Sequence, residues 1–140
     1  FLHDPGISVV KEAHIANQEA DIRAMHDPTE GGLATGLLEL TIASNTGVIV
    51  YEDKIHCLEE TSILCSEYKI DPLGVIASGA LLIVVDPDDR DTVLSKLVQN
   101  DIACSVIGKL TDKEDGLKII ADGEERELPF FVVDEITRVL

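Results

Sequence analysis

Six apolar residues in a row, Ala80-Leu81-Leu82-Ile83-Val84-Val85, run straight into Asp86-Pro87 and then into an amphipathic stretch. An unbroken β-branched and apolar run of this length reads as a strand buried on both faces. The residues after it read as a helix. Asp86 is placed to cap, Pro87 suits a first turn, and Asp88, Asp89 and Asp91 favour the positive end of the dipole. Val93, Leu94, Leu97 and Val98 then form a stripe predicted to face inward. A strand that feeds directly into an amphipathic helix constrains the chain to layers of both kinds.

The rest of the sequence repeats that alternation. A helix is predicted from Gly6 or Ser8 to Gln18, after a Pro5-Gly6 turn, and a short strand at Ala24-Met25-His26. A helix from Leu33 to Ser44 is stopped by Asn45-Thr46-Gly47. Val48 to Tyr51 reads as a strand, Glu59 to Tyr68 as a helix, and 71–74 as a turn. Ala103 to Leu110 reads as a strand. Leu117 to Ala121 and Glu125 to Leu128 flank Asp122-Gly123, a strong hairpin signal. A last helix is expected over Phe131 to Leu140, with Val132, Ile136, Val139 and Leu140 inward. The expected fold is α/β, an α+β sandwich in which a mixed β-sheet is covered by helices, as one domain over 1–140.

Charge narrows the function. Acidic side chains number 27 against 11 basic, a formal charge of -16. Such a surface repels phosphate backbones and anionic membranes, which argues against nucleic acid and membrane as partners. No stretch of about 18 apolar residues suggests a membrane span. Cys57, Cys65 and Cys104 form no CxxC pair and read as reduced thiols of a cytoplasmic protein. Phe1 to Pro5 does not read as a signal peptide, and the start reads as a cut within a longer chain. His3, His14, His26 and His56 lack the spacing of a helical zinc site, although His26 beside Asp27 has the chemistry of an acid or base.

The segment Met25-His26-Asp27-Pro28-Thr29-Glu30-Gly31-Gly32-Leu33-Ala34 is the one that points to chemistry. It is a strand end, a turn and a helix start. Two glycines at a helix N-terminus let a ligand approach the backbone, and the terminal N–H groups there attract phosphate or carboxylate. Asp27 is a candidate for holding Mg²⁺ that travels with a nucleotide, and Thr29 for capping the helix or binding a phosphate oxygen. The simpler reading is that Asp27 and Thr29 cap a turn and the glycines permit tight packing. The Lys and GK[ST] ending of a P-loop are absent. Ser78-Gly79, a turn feeding the apolar run, is a further candidate for the cleft.

Asp27-Pro28-Thr29-Glu30-Gly31-Gly32-Leu33-Ala34-Thr35 resembles the DPTxGGLA segment of the AIR synthase-related (PurM/HypE) superfamily, and of its HypE-type members in particular. Gly6 to Ala13, Asp71-Pro72-Leu73 with Ala77 to Val85, and Val106 to Leu110 are similar to further family segments, in family order. The resemblance implies a carboxy-terminal domain that packs beside an amino-terminal domain absent from this chain. That domain would bind ATP with Mg²⁺ and form a homodimer core. It implies phosphoryl-transfer activation of an amide or carboxylate oxygen, in HypE-type proteins on a carbamoyl group during hydrogenase maturation, with another maturation protein as partner. Asp27, Thr29, Glu30, Gly31, Gly32, Ser78 and Gly79 would line the nucleotide–substrate cleft, and the domain alone would turn nothing over. Two positions depart from the pattern. No cysteine follows Cys104, where HypE-type proteins end in a carbamoyl-accepting Cys, and Glu30 stands where they commonly carry Arg. A noncatalytic acidic module that docks a maturation partner and a purine-pathway synthetase are the alternative readings.

Overall fold

The computed structural model describes residues 6–140, so Pro5, His3 and the rest of the first five residues lie outside it. The described residues fall into two compact units, one built from 6–28 and 78–104, the other from 29–77 and 105–140. The chain therefore passes between the units three times.

The first unit pairs two helices with a two-stranded ribbon. Helix α1 (Val10–Glu19) and helix α4 (Arg90–Gln99) pack on each other, and strand β1 (Ala24–His26) runs antiparallel to strand β3 (Leu82–Val84). Ala16, Val93 and Leu97 form its buried centre, with Ile15, Ile22, Met25 and Ile83 packed around them. Three details differ from the sequence-based expectation. The apolar run yields only three strand residues, and just Leu82 of them is buried, because β3 has a single partner strand rather than a place inside a broad sheet. The helix begins at Arg90, not at Pro87. The Asp86 carboxylate is bound by the Arg23 guanidinium instead of capping, with Nε to Oδ1 at 3.2 Å. Val98 faces solvent, leaving the buried stripe to Val93 and Leu97.

The second unit is organised on a four-stranded mixed sheet, ordered 108–111, 47–51, 117–121, 124–127 across its width. Strand β2 (Gly47–Tyr51) pairs antiparallel with β4 (Gly108–Thr111) and parallel with β5 (Leu117–Ala121), and β5 pairs antiparallel with β6 (Glu124–Glu127). Val50 and Ile119 are fully buried at its centre. Helix α2 (Gly32–Ser44) stops at Asn45, whose φ of 57° is the left-handed conformation that ends many helices. Helix α3 (Glu59–Tyr68) follows the predicted bounds and ends the same way at Lys69. Asp122 and Gly123 both have positive φ, 51° and 80°, as the tight two-residue hairpin turn requires.

Two expectations fail here. Of the anticipated 103–110 strand only 108–110 is paired, and the strand runs on to Thr111. The carboxy-terminal segment is not a helix but a loop leading to a short 3-10 turn, Glu135–Arg138. Its apolar residues do not all turn inward: Val132 is 84% and Leu140 98% exposed. The bonds that set this conformation are partly distant, from the Gly31 and Asp71 amides to Asp134 and Glu135, and partly local. The Asp134 side chain accepts from the Ile136 amide at 2.9 Å, a competing bond that favours a turn over a continuing helix. The mixed sheets and packed helices make the chain α/β, as expected. Among the described residues, no helix is long and apolar enough to cross a membrane.

Candidate functional site

In the second unit the site forms where α2 begins. Gly31 is the N-cap residue with φ 77°, and Gly32 follows at φ 66°; both conformations favour glycine. The Gly32 amide donates to the Thr29 carbonyl at 3.1 Å, and the Ala77 amide donates to that same carbonyl at 3.1 Å. A Cβ on Gly32 would lie 2.5 Å from the Leu73 carbonyl oxygen and 2.6 Å from that of Val75. Gly32 thus serves close packing of α2 on the 3-10 turn Pro72–Gly74, and the protein's own backbone fills the space a ligand would need there.

Gly31 is different. Its amide donates to Asp134 Oδ2 at 2.8 Å, so the positive end of α2 already holds a carboxylate oxygen, supplied by the carboxy-terminal segment. Beside this bond lies a cavity of about 470 Å³ lined by Glu30, Gly31, Thr35, Ile76, Phe131 and Asp134 among others. The Thr35 hydroxyl oxygen is buried, and among the described residues it has no hydrogen-bond partner. No Lys or Arg lines the cavity. Its polar groups are carboxylates and hydroxyls set in apolar walls.

Glu135 pins the same segment from the other side. It is 7% exposed, accepts from the Asp71 amide at 3.1 Å and pairs with Arg138 Nη1 at 2.7 Å. Its Cγ and the Phe131 ring sit so close over Gly74 that a Cβ there would be 2.7–2.8 Å from them.

The sequence-predicted residues are therefore distributed as follows. Thr29, Glu30, Gly31 and Gly32 belong to the second unit; Thr29 and Glu30 are exposed and both glycines buried. Asp27, Ser78 and Gly79 belong to the first unit and are exposed. Ser78 follows Ala77, the residue tied to Thr29. Thr29 is not the cap of α2: the N-cap position is Gly31, which has no side chain to supply a cap bond. Among the described residues, no three His, Cys, Asp or Glu side chains converge on a metal-binding position. Sequence reasoning missed Asp134 and Phe131, because the last segment was read as an inward-facing helix, and gave Thr35 on α2 no role. The usable signal was Asp134 two residues ahead of Ile136, the spacing of an Asx turn.

The thiols are ordinary. All three cysteines are free, and burial, followed by the neighbouring Cys57 and Asp71, pushes Cys65 upward. Burial also raises Cys104.

Comparison with known proteins bears on this site. The family described as AIR synthase related protein, C-terminal domain, matches residues 7–120, a span that stops short of Asp134 and Glu135. A putative hydrogenase expression/formation protein of Methanocaldococcus jannaschii is 31% identical over 127 residues, covering 89% of this chain and 38% of that protein. A carbamoyl dehydratase HypE of Rhizobium leguminosarum bv. viciae is 37% identical over 83 residues, 59% of this chain and 24% of that protein. Among solved structures, a hydrogenase maturation protein HypE superposes with a TM-score of 0.81 at 25% identity over 95% of this chain and 45% of that one. A HypE in complex with ATP superposes at 0.73 and 27% identity, over 86% and 38%. The chain spans less than half the length of each of these relatives. With the family's span covering most of its residues, and its fold shared with HypE, this chain belongs to the AIR synthase-related proteins as one of their carboxy-terminal domains.

Proposed function

We propose that the chain is the substrate-side domain of an ATP-dependent, HypE-like protein that activates an amide or carboxylate oxygen by phosphoryl transfer, in hydrogenase maturation. In this reading ATP and Mg²⁺ are held mainly by an amino-terminal domain, the intact protein is a cytoplasmic homodimer, and another maturation protein is its partner. The observation that carries it is the bond from the Gly31 amide to a carboxylate oxygen at the rim of the cavity. The α2 terminus donates to a carboxyl-type oxygen, and the groove around it offers acceptors to N–H groups.

The groove residues do not fit a bare triphosphate. Glu30 and Asp134 are negative, no cation lines the cavity, and the Gly31 amide is engaged. They fit the other reactant, a small neutral group with N–H donors such as a carbamoyl amide. Glu30 and Asp134 would accept from its nitrogen, the Thr35 hydroxyl would gain a partner, and Ile76 and Phe131 would keep water out. Asp27 is the residue proposed to meet Mg²⁺, with Ser78 and Gly79 of the same unit on the nucleotide side; Thr29 is a separate candidate within the second unit.

The test is ATP hydrolysis by the intact protein in the presence of carbamoylated peptides and simple amides. Asp27→Asn should lower kcat by about tenfold or more, and Glu30→Gln should mainly raise KM for the amide. Unchanged rates in both variants would remove the site assignment. Gly31→Val is a poor probe, since a side chain at φ 77° is strained and its Cβ would collide with the Thr35 side chain.

A further inference from the structure

Helix α3 has ten residues, and only Cys65 among them is buried. Ile63 is 60% exposed, and Leu64 and Tyr68 are each 56% exposed. An isolated helix this short is marginal in water, and packing of an apolar face is what normally sustains one. Here most of the apolar side chains face solvent. They are not scattered. Leu64 and Tyr68 are four apart, Glu60 lies four before Leu64, and Ile63 stands three after Glu60 and four before Glu67. Helical spacing makes Glu60, Ile63, Leu64, Glu67 and Tyr68 one continuous surface, apolar at both sides with carboxylates between. No basic residue occurs within the helix.

We infer that this outer face of α3 is a docking surface for a basic, amphipathic segment of a partner protein. The apolar groups supply contact area, while Glu60 and Glu67 select Lys or Arg opposite them. A second copy of the chain is disfavoured as occupant, because it would bring a formal charge of -16 against another of -16. An anionic bilayer is disfavoured on the same ground. A helix of ten residues is about 15 Å long, so the matching segment needs only about three turns. The surface does not depend on the groove at α2.

The experiment uses the full 140-residue chain and two labelled synthetic helical peptides, one with Leu and Lys at helical spacing, the other with Glu in place of Lys. Fluorescence anisotropy should show saturable binding of the basic peptide that weakens as salt rises, and none of the acidic one. Ile63→Asp should weaken binding about tenfold, and so should Leu64→Asn. The first variant adds a negative charge, so non-specific attraction to a basic peptide would be strengthened by it rather than weakened. Val98→Asp, at an exposed apolar position on α4, should leave binding unchanged. Absence of saturable binding, equal binding of the acidic peptide, or binding kept in Ile63→Asp would each overturn the proposal. So would a dimer seen by sedimentation velocity that Ile63→Asp dissolves, which would assign the face to a second copy.

Discussion

The two adjacent glycines at α2 do different jobs, and substitution separates them. Gly32→Ala meets both a left-handed φ and two backbone carbonyl oxygens within 2.6 Å, neither of which can give way as a flexible side chain would. It should cost about 2–4 kcal/mol in denaturant unfolding. Gly123→Ala, at φ 80° with nothing within 4 Å of its Cβ, should cost only about 1 kcal/mol. Asp134→Ala removes the acceptor for the Gly31 and Ile136 amides together, at an expected cost of about 1–2 kcal/mol. Faster hydrogen exchange at the Gly31 amide would localise that loss. At the surface, the Arg23 guanidinium holds the Asp86 carboxyl below its ordinary range. A carboxyl depressed by folding stabilises the protein above its unfolded pKa and loses that effect as pH falls through the folded value. The stability difference between the wild type and Asp86→Asn should therefore be full at neutral pH and begin to shrink below about pH 4.

Elements whose ends carry their own chemistry were legible in the sequence. Asn45 adopts the left-handed stop assigned to it, Asp122-Gly123 makes its turn, and α3 keeps its predicted limits, because each signal lies within a few residues of its effect. Elements that depend on distant partners were not. The 80–85 run looked like an interior strand, but what surrounds a strand is decided by the residues that pair with it, here only 24–26. Residues 131–140 have helical apolar spacing, yet bonds to Gly31 and Asp71, far away in sequence, fix them as a strap. The glycine pair that opens α2 was legible and the groove beside it was not, since Asp134 and Phe131 complete the groove from the far end of the chain. The buried Ile119 on β5 anchors the sheet, and Ile119→Ala should cost about 2–5 kcal/mol by the same unfolding measurement.

At the level of the whole molecule, a formal charge of -16 is spread over 140 residues, so self-repulsion opposes compaction. The melting temperature should rise as sodium chloride is raised through the range in which surface charges become screened. The order of the central sheet has a different consequence. β2 and β5 lie side by side and parallel, but β5 begins only at residue 117. On a translating ribosome, the Val48–Val50 edge would wait roughly 3–13 s for its neighbour at ordinary elongation speeds. The first unit is also closed late, because α1 packs on α4, which is made only at residues 90–99. A chain truncated at residue 110 should thus stay open to protease over 29–77, whose parallel partner strand has not been made, while 6–28 and 78–104 can already close on each other, so that the two units gain protection at different moments of synthesis.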